Sequence, residues 1–353
     1  MSAVQSRATL RGRTQTVAGV IDPAAVGATL LHEHVLCDIR PPSWPGLDTP
    51  AGQVGLDIPI ENRFAIDYGE IQAPGNLLLN QTDVAIRELR KLTAVGGTTV
   101  VDLSCGGLHP NPRGLAQIAA AAGVNIVMGC GHYVEEYQDP ANQQRTVDSF
   151  TREMLDQLFV GAWGTDIRAG IIGEIGCQSP WTTLERRVMA AAVQAQAESG
   201  AALTVHPGRH PDQPQEIVDF LRRERADLSR VIISHIDRTI FDDDRLFRLA
   251  DSGVVIELDL FGMETSFYKW SDIDMPNDAQ RLKMLRKLID RGHLTQIAIS
   301  HDICYRSRLV CNGGHGYGHI FRNVVPMMLR RGFDQSEIDS ILRMTPRRLL
   351  TFV

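Results

Sequence analysis

The chain has 353 residues, of which 43% are hydrophobic and 22% charged, and its formal net charge is -6 at pH 7. This composition is ordinary for a globular protein with a large core, and the acidic balance offers no basic surface to nucleic acid. No apolar stretch is long enough to span a bilayer, and the first residues lack the hydrophobic run of a secretory signal. Six cysteines without a CxxC pair suit reduced thiols. We therefore expect a cytoplasmic protein that binds neither membranes nor nucleic acid.

Short β-branched runs alternate with amphipathic segments along most of the chain. The apolar runs predict strands over residues 28–32, 98–103, 125–129, 169–174, 202–206, 231–235, 254–258 and 296–300. Apolar residues at helical spacing predict helices over residues 82–95, 111–122, 147–159, 182–198, 214–225, 242–250 and 278–291. This alternation predicts an α/β fold, a (β/α)8 TIM barrel that forms one domain over residues 1–353, with residues 1–15 as a flexible tail. A doubly wound open sheet is the alternative.

Three predicted loops are long, over residues 41–81, 261–277 and 303–323. In a barrel these loops follow strands and rise from the C-terminal face, where active sites lie. We favour a role as lids or substrate walls for the second and third loops. For the first loop, decoration or an oligomer interface is an equal alternative.

The most informative motif is His32-Glu33-His34, which follows an apolar run. Residues two apart in a strand point to the same side, so His32 and His34 can aim two imidazoles into one cavity. Glu33 faces the other way and is predicted to anchor a neighbouring residue.

Four further residues stand at or just past the ends of later predicted strands. Glu174, His206 and His235 each end a strand, and Asp302 follows the last one. His206 or His235 alone would be read as a buried, hydrogen-bonded histidine, but their equivalent positions on consecutive strands favour one shared site. A buried carboxylate such as Glu174 is costly unless it is paired or bound to a metal. Four imidazoles and two carboxylates can hold two divalent metals, which indicates metal-assisted hydrolysis. Convergence from so many strands also favours the closed barrel over the open sheet.

Candidate substrate-binding residues lie beside these strand ends. Tyr133 could hydrogen-bond a substrate oxygen, or it could be a rim aromatic. Arg209 could bind an anionic group of the substrate, or it could form a surface ion pair. The same two alternatives stay open for Arg238 and Lys269.

Together these motifs resemble the phosphotriesterase family of the amidohydrolase superfamily, over almost the whole chain. The stretches that carry the resemblance include Gly27-Ala-Thr-Leu-Leu-His-Glu-His, Gly96-Gly-Thr-Thr-Val-Val-Asp, Gly173-Glu-Ile-Gly, Ser300-His-Asp and Gly314-His-Gly-Tyr. The resemblance implies a (β/α)8 barrel with a binuclear centre of two divalent metal ions at its C-terminal face. It assigns one metal to His32, His34 and Asp302, and the other to His206 and His235.

One position departs from the well-known members that cleave organophosphates and lactones. Those members bridge the metals with a carboxylated lysine, whereas this chain has Glu174 in the corresponding strand. Glutamate bridging occurs in the branch of phosphotriesterase homology proteins. Within that branch the chain resembles the phosphotriesterase-related proteins of animals, through His206-Pro-Gly-Arg, Ser234-His-Ile-Asp-Arg-Thr and Gly313-Gly-His-Gly-Tyr.

The resemblance implies hydrolysis of a small N-acyl amide with an anionic end, such as N-acetyltaurine. We expect a metal-bridging hydroxide to attack the carbonyl carbon and Asp302 to pass a proton to the leaving group. Zinc is favoured by the histidine-rich ligands, with manganese or cobalt as alternatives, and a homodimer is a family-level expectation. The alternative function is a lactonase or carboxylesterase with phosphotriester cleavage as a side activity. A non-catalytic binding protein is less favoured because the ligand set is complete.

Overall fold

The computed structural model describes residues 5–43 and 54–353. Its strands are β1 (Thr14–Thr16), β2 (Gly19–Ile21), β3 (Thr29–Glu33), β4 (Cys37–Asp38), β5 (Leu78–Leu79), β6 (Thr99–Asp102), β7 (Asn125–Cys130), β8 (Ile171–Gly176), β9 (Leu203–His206), β10 (Val231–Ile233), β11 (Val255–Leu258) and β12 (Ile297–Ile299). Its α-helices are α1 (Arg7–Leu10), α2 (Arg63–Asp67), α3 (Thr82–Thr93), α4 (Pro112–Ala122), α5 (Val147–Phe159), α6 (Thr183–Ser199), α7 (Gln213–Arg223), α8 (Asp243–Asp251), α9 (Asp278–Asp290), α10 (Val325–Arg330), α11 (Gln335–Asp339) and α12 (Thr345–Leu350).

Eight parallel strands form the central sheet, in the order β12-β11-β10-β9-β8-β7-β6-β3. The two ends of this order meet, because the amide of Asp302 donates to the carbonyl of His32 at 3.2 Å and the amide of His34 donates to that of Ile303 at 3.2 Å. The sheet is thus nearly closed into a barrel, with helices packed around it. The predicted (β/α)8 architecture is confirmed, and the open sheet is excluded.

Side chains alternate between the two faces of the barrel strands and so build two buried layers. Residues that point inward fill the barrel, among them Leu31, Val101 and Ile232, while their neighbours Leu30 and Val100 pack against the helices. The interior is therefore a packed core below the C-terminal ends of the strands. The polar residues at the strand ends therefore lie above this core, at the C-terminal mouth of the barrel.

The predicted flexible tail over residues 1–15 is wrong for the part that the structure describes. Residues 5–15 contain α1 and most of β1, which pairs with β2, and residues 1–4 lie outside the described residues. The guanidinium of Arg7 donates to the carbonyls of Ala197 and Val353 at 2.8 and 2.9 Å. Leu10 is fully buried. Contacts with the C-terminus, which a local sequence pattern cannot reveal, hold this segment in place.

Among the described residues, no helix combines the length and apolar character needed to cross a membrane. The long loop after β4 includes residues 44–53, which lie outside the described residues. Its described part contains α2 and ends in β5, which pairs antiparallel with β4.

Candidate metal centre

Strand β3 delivers two imidazoles to the C-terminal mouth of the barrel. His32 lies in the strand and His34 just after it, and both are buried. Their ring centroids are 5.6 Å apart. The spacing of two residues therefore brings the rings together as predicted.

Three neighbouring strands bring a carboxylate and two more imidazoles to the same place. Glu174 lies in β8 and His206 ends β9, while His235 follows β10 by two residues. The Nε2 atom of His235 lies 3.0 Å from Oε1 of Glu174 and 2.9 Å from Nδ1 of His206. The same Oε1 atom is in contact with Nδ1 of His206. All three side chains are buried, so their polar atoms converge on one small volume.

Asp302 reaches the cluster from beyond β12. Its Oδ1 atom lies 3.3 Å from Nε2 of His34 and 3.7 Å from Nε2 of His32. The Asp302 side chain keeps 15% of its surface exposed, whereas that of Glu174 keeps 1%. Asp302 is thus the carboxylate of the cluster that solvent can reach.

His235 and Asp302 both adopt left-handed backbone conformations, with φ of 56° and 49°. Such conformations are costly for residues other than glycine and persist where the surrounding structure enforces them. They turn the two side chains back over the strand ends toward the cluster. The six residues predicted to form a site are therefore brought together.

The cluster has the chemistry of a divalent metal site. Ligand atoms that lie within 4.8 Å of one another are offered by His32, His34 and Glu174, and again by Glu174, His206 and His235. Among the residues that the structure describes, the buried Nε2 atom of His32 has no hydrogen-bond partner. An unpartnered buried imidazole nitrogen is costly unless it binds a ligand such as a metal. The residues present therefore fit a metal.

Burial and mutual contacts shift the pKa values of these groups in different directions. Burial lowers the pKa of His206 to about 3, so its imidazole is neutral. Burial opposes ionisation of Glu174, but His206 and His32 beside it hold the pKa of that carboxyl well below its usual range. Burial opposes protonation of His32 and His235, but the carboxylate of Glu174 beside His32 and that of Asp259 beside His235 raise the pKa of these imidazoles. A bound metal would replace these protons, because metal-ligating imidazoles are neutral.

Sequence reasoning missed a group of residues behind the imidazoles. Asp259, directly after β11, has one carboxylate oxygen 2.8 Å from Nδ1 of His235 and the other 3.1 Å from Nδ1 of His32. The hydroxyl of Ser104 lies 3.1 Å from Nδ1 of His34. These contacts direct the Nε2 atoms of the three histidines inward. The available signal was the position of Asp259, a carboxylate at the end of a predicted strand like the ligands themselves.

The prediction that Glu33 anchors a neighbour is confirmed. Its carboxylate accepts hydrogen bonds from the hydroxyl of Ser300 at 2.9 Å, the amide of His301 at 3.1 Å and the amide of Ile303 at 2.9 Å. Glu33 therefore ties β3 to the segment on either side of Asp302.

A cavity of about 680 Å³ opens above the cluster, and its lining includes His34, Glu174, His206, His235 and Asp302. Tyr133 lines the same cavity, with its hydroxyl 3.5 Å from Nε2 of His206. Arg209 stands exposed at the wall, where its Nε atom donates to the hydroxyl of Tyr268 at 3.3 Å. Its guanidinium is also 6.0 Å from the ring centre of Trp270. Both predicted substrate-binding residues therefore face the space above the cluster.

A nearly closed barrel with a histidine and carboxylate cluster at the C-terminal ends of its strands defines a metal-dependent hydrolase. Residues 12–350 match the model of the phosphotriesterase family. The chain belongs to the phosphotriesterase family.

Named relatives cover nearly the whole chain. An N-acetyltaurine hydrolase of Salmo salar is 41% identical over 97% of this chain and 99% of its own length. An N-acetyltaurine hydrolase of Xenopus tropicalis is 40% identical over the same shares. Among solved structures, a resiniferatoxin-binding protein from Rhodobacter sphaeroides is 31% identical, with a TM-score of 0.89 over 98% of this chain and 97% of that chain.

Proposed function

We propose that this chain hydrolyses N-acyl amides that carry an anionic end, with N-acetyltaurine as the representative substrate. The observation that carries the proposal is that the metal-binding cluster and a guanidinium, Arg209, line one cavity of about 680 Å³. Relatives about 40% identical over almost their full length are named N-acetyltaurine hydrolases. A cavity lined by both hydrolytic groups and a cation is suited to bind an amide that carries an anionic group.

In this proposal the cluster holds two divalent metals. His32, His34 and Asp302 would hold one, His206 and His235 would hold the other, and Glu174 lies between the two sets. The contacts among these side chains support the division, because Glu174 approaches His34 through Oε2 and His235 through Oε1. When bound, the metals lower the pKa of a water molecule and polarise the carbonyl of the substrate.

The chain's own residues then move the proton and hold the substrate. Asp302, the solvent-accessible carboxylate of the cluster, accepts the proton of the attacking water and returns it to the departing amine nitrogen. Tyr133 hydrogen-bonds a substrate oxygen from the wall above His206. Arg209, at the exposed wall, attracts the anionic end of the substrate into the cavity.

We further propose zinc as the metal, because imidazole-rich sites suit it, with manganese or cobalt able to replace it. We also propose a cytoplasmic location, which suits six free cysteines of which five are buried. We propose a homodimer by analogy with the family, and a small molecule as the substrate.

The test is a substrate panel on the protein purified with its metals. The panel contains N-acetyltaurine, an N-acetyl amino acid, neutral N-propylacetamide, a lactone and an aryl phosphotriester. We expect the anionic amides to have the highest kcat/KM and a chelator to abolish their cleavage. Cleavage of the lactone without cleavage of either anionic amide would replace this proposal with the lactonase alternative.

A further inference from the structure

A second arginine, Arg238, lies deeper in the same cavity than Arg209. A 3-10 turn over Ile236–Arg238 follows the left-handed residue His235, and Arg238 lines the cavity while only 2% of its surface is exposed. Arg209, in contrast, is an exposed residue. Arg209 therefore lies at the outer wall of the cavity and Arg238 near its floor. A third arginine of the lining, Arg308, donates to the backbone carbonyls of His301 and Asp302.

Across the part of the chain that the structure describes, Arg238 lacks the charged partner that a buried cation normally has. Its donors reach the carbonyl of Pro207 at 3.0 Å and the hydroxyl of Thr239 at 3.3 Å. Within residues 5–43 and 54–353, no carboxylate forms an ion pair with it. The adjacent carboxylate, Asp237, is already engaged by Arg281 at 2.6 Å. Because burial of an uncompensated charge is costly, a cation kept in this state is suited to an anionic ligand.

The guanidinium also stands directly behind a proposed metal ligand. Its Nη2 atom lies 3.2 Å from Nε2 of His206, the nitrogen opposite the one that faces Glu174. A neutral imidazole whose Nδ1 lone pair holds a metal carries its proton on Nε2 and cannot accept a hydrogen bond there. In the metal-bound protein, Nη2 of Arg238 is therefore left with a donor free for another acceptor.

We propose that Arg238 binds the sulfonate or carboxylate of the substrate and selects short amides, in which the anion lies a few bonds beyond the amide nitrogen. The imidazole ring of His206 alone separates the guanidinium from the side of that ring that would hold a metal. An anion on Arg238 is therefore close to the scissile carbonyl, whereas Arg209 acts at the outer wall during entry. This inference rests on the proposed function and adds the specificity-determining contact.

The experiment compares Arg238→Gln, Arg238→Lys and Arg209→Gln on two substrates of similar length. N-acetyltaurine carries the sulfonate, and N-propylacetamide lacks it. We expect Arg238→Gln to lower kcat/KM for N-acetyltaurine by about 10- to 100-fold through KM, as for a lost charge-assisted hydrogen bond. The neutral amide should change less than about threefold, because it makes no such bond. Arg238→Lys should be intermediate, because lysine keeps the charge but loses the planar fork.

Calorimetric binding of propane-1-sulfonate and metal content per chain are measured on the same samples. Wild-type protein should bind the sulfonate, and Arg238→Gln should lose that binding while it keeps its metals. If Arg238→Gln does not fold, the same comparison with Arg238→Lys decides the question. Equal losses on both substrates, or selective loss only in Arg209→Gln, would overturn the proposal. If wild-type protein binds the sulfonate through Arg238 but cleaves neither amide, the proposed function fails separately.

Discussion

The carboxylate of Asp259 holds His235 at two points. It accepts a hydrogen bond from the backbone amide of His235 at 3.0 Å, and its other oxygen lies 2.8 Å from Nδ1 of the same residue. Since β11 and β10 are neighbouring strands, this contact holds the imidazole ring of His235 from the adjacent strand, at the mouth of the barrel. The left-handed turn at His235, with φ of 56°, is thus braced from the adjacent strand.

This bracing predicts the effect of Asp259→Asn. An amide cannot accept hydrogen bonds from both the backbone and the ring through two oxygens, so His235 loses part of its support. We expect metal affinity to fall about 10- to 100-fold, the usual effect of losing such a partner. Competition with a chelator, read by metal analysis, measures the change. The matched control is Asp244→Asn at an exposed aspartate of α8; equal affinities in the two variants would contradict the role of Asp259.

Asp302→Asn tests the proton transfer. Asparagine can still approach the metal site but cannot accept a proton, so kcat for N-acetyltaurine should fall about 10²- to 10⁴-fold at saturating metal. Metal content and the unfolding transition should be recorded beside the kinetics, to separate chemistry from loss of the site. Turnover at the parental rate in a variant with full metal content would remove Asp302 from the mechanism.

The ion pair between Arg281 and Asp237 predicts a large loss of stability on Arg281→Met. Both side chains are fully buried, 2.6 Å apart, and Arg281 also reaches Asp278 at 3.1 Å. Removing the cation leaves the buried carboxylate of Asp237 with the amide of Leu260 but without its ion-pair partner, which should cost about 3–5 kcal/mol. Urea unfolding measures the change. The control Arg222→Met breaks an exposed pair with Asp219 and should cost at most about 1 kcal/mol; similar costs for both variants would contradict the account.

The side-chain amine of Lys269 should lose its proton at a lower pH than that of an ordinary lysine. Burial lowers its pKa to about 8, and its ammonium lies over the rings of Tyr305 and Trp270, at 4.4 and 4.9 Å from their centres. Only the neutral amine is acylated, so labelling of Lys269 should rise to half its maximum near the pKa of about 8. Mass spectrometry after brief acetylation across a pH series measures this midpoint. A midpoint near the ordinary lysine value of about 10.4 would show that burial does not shift the group.

The local pattern of apolar and polar residues in the sequence predicted the barrel and most of the metal-binding cluster. The period of two in a strand was enough to aim His32 and His34 into one space, and the apolar runs located the strands that carry Glu174 and His206. Strand ends were less accurate, since β10 stops at Ile233 and the chain then turns through left-handed His235. A conformation imposed by surrounding contacts leaves no periodic signal in the sequence.

Features that depend on distant contacts were missed. Asp259 stands at the end of a predicted strand, but its contacts with His235 and His32 depend on the position of β11 beside β10. The N-terminal segment is ordered by contacts such as the amide of Gly12 to the carbonyl of Phe352 at 2.9 Å. Arg238 was left open between an anion site and a surface ion pair, and only its burial excludes the surface position.

Metal reconstitution can show whether this cluster hydrolyses an anionic N-acyl amide. Protein stripped by a chelator would be titrated with zinc while hydrolysis of N-acetyltaurine and bound metal are followed together. We expect no turnover without metal and a rate that rises to a plateau at two equivalents per chain. A protein that holds two metals and leaves N-acetyltaurine intact, or one that cleaves it equally well without metal, would contradict the account.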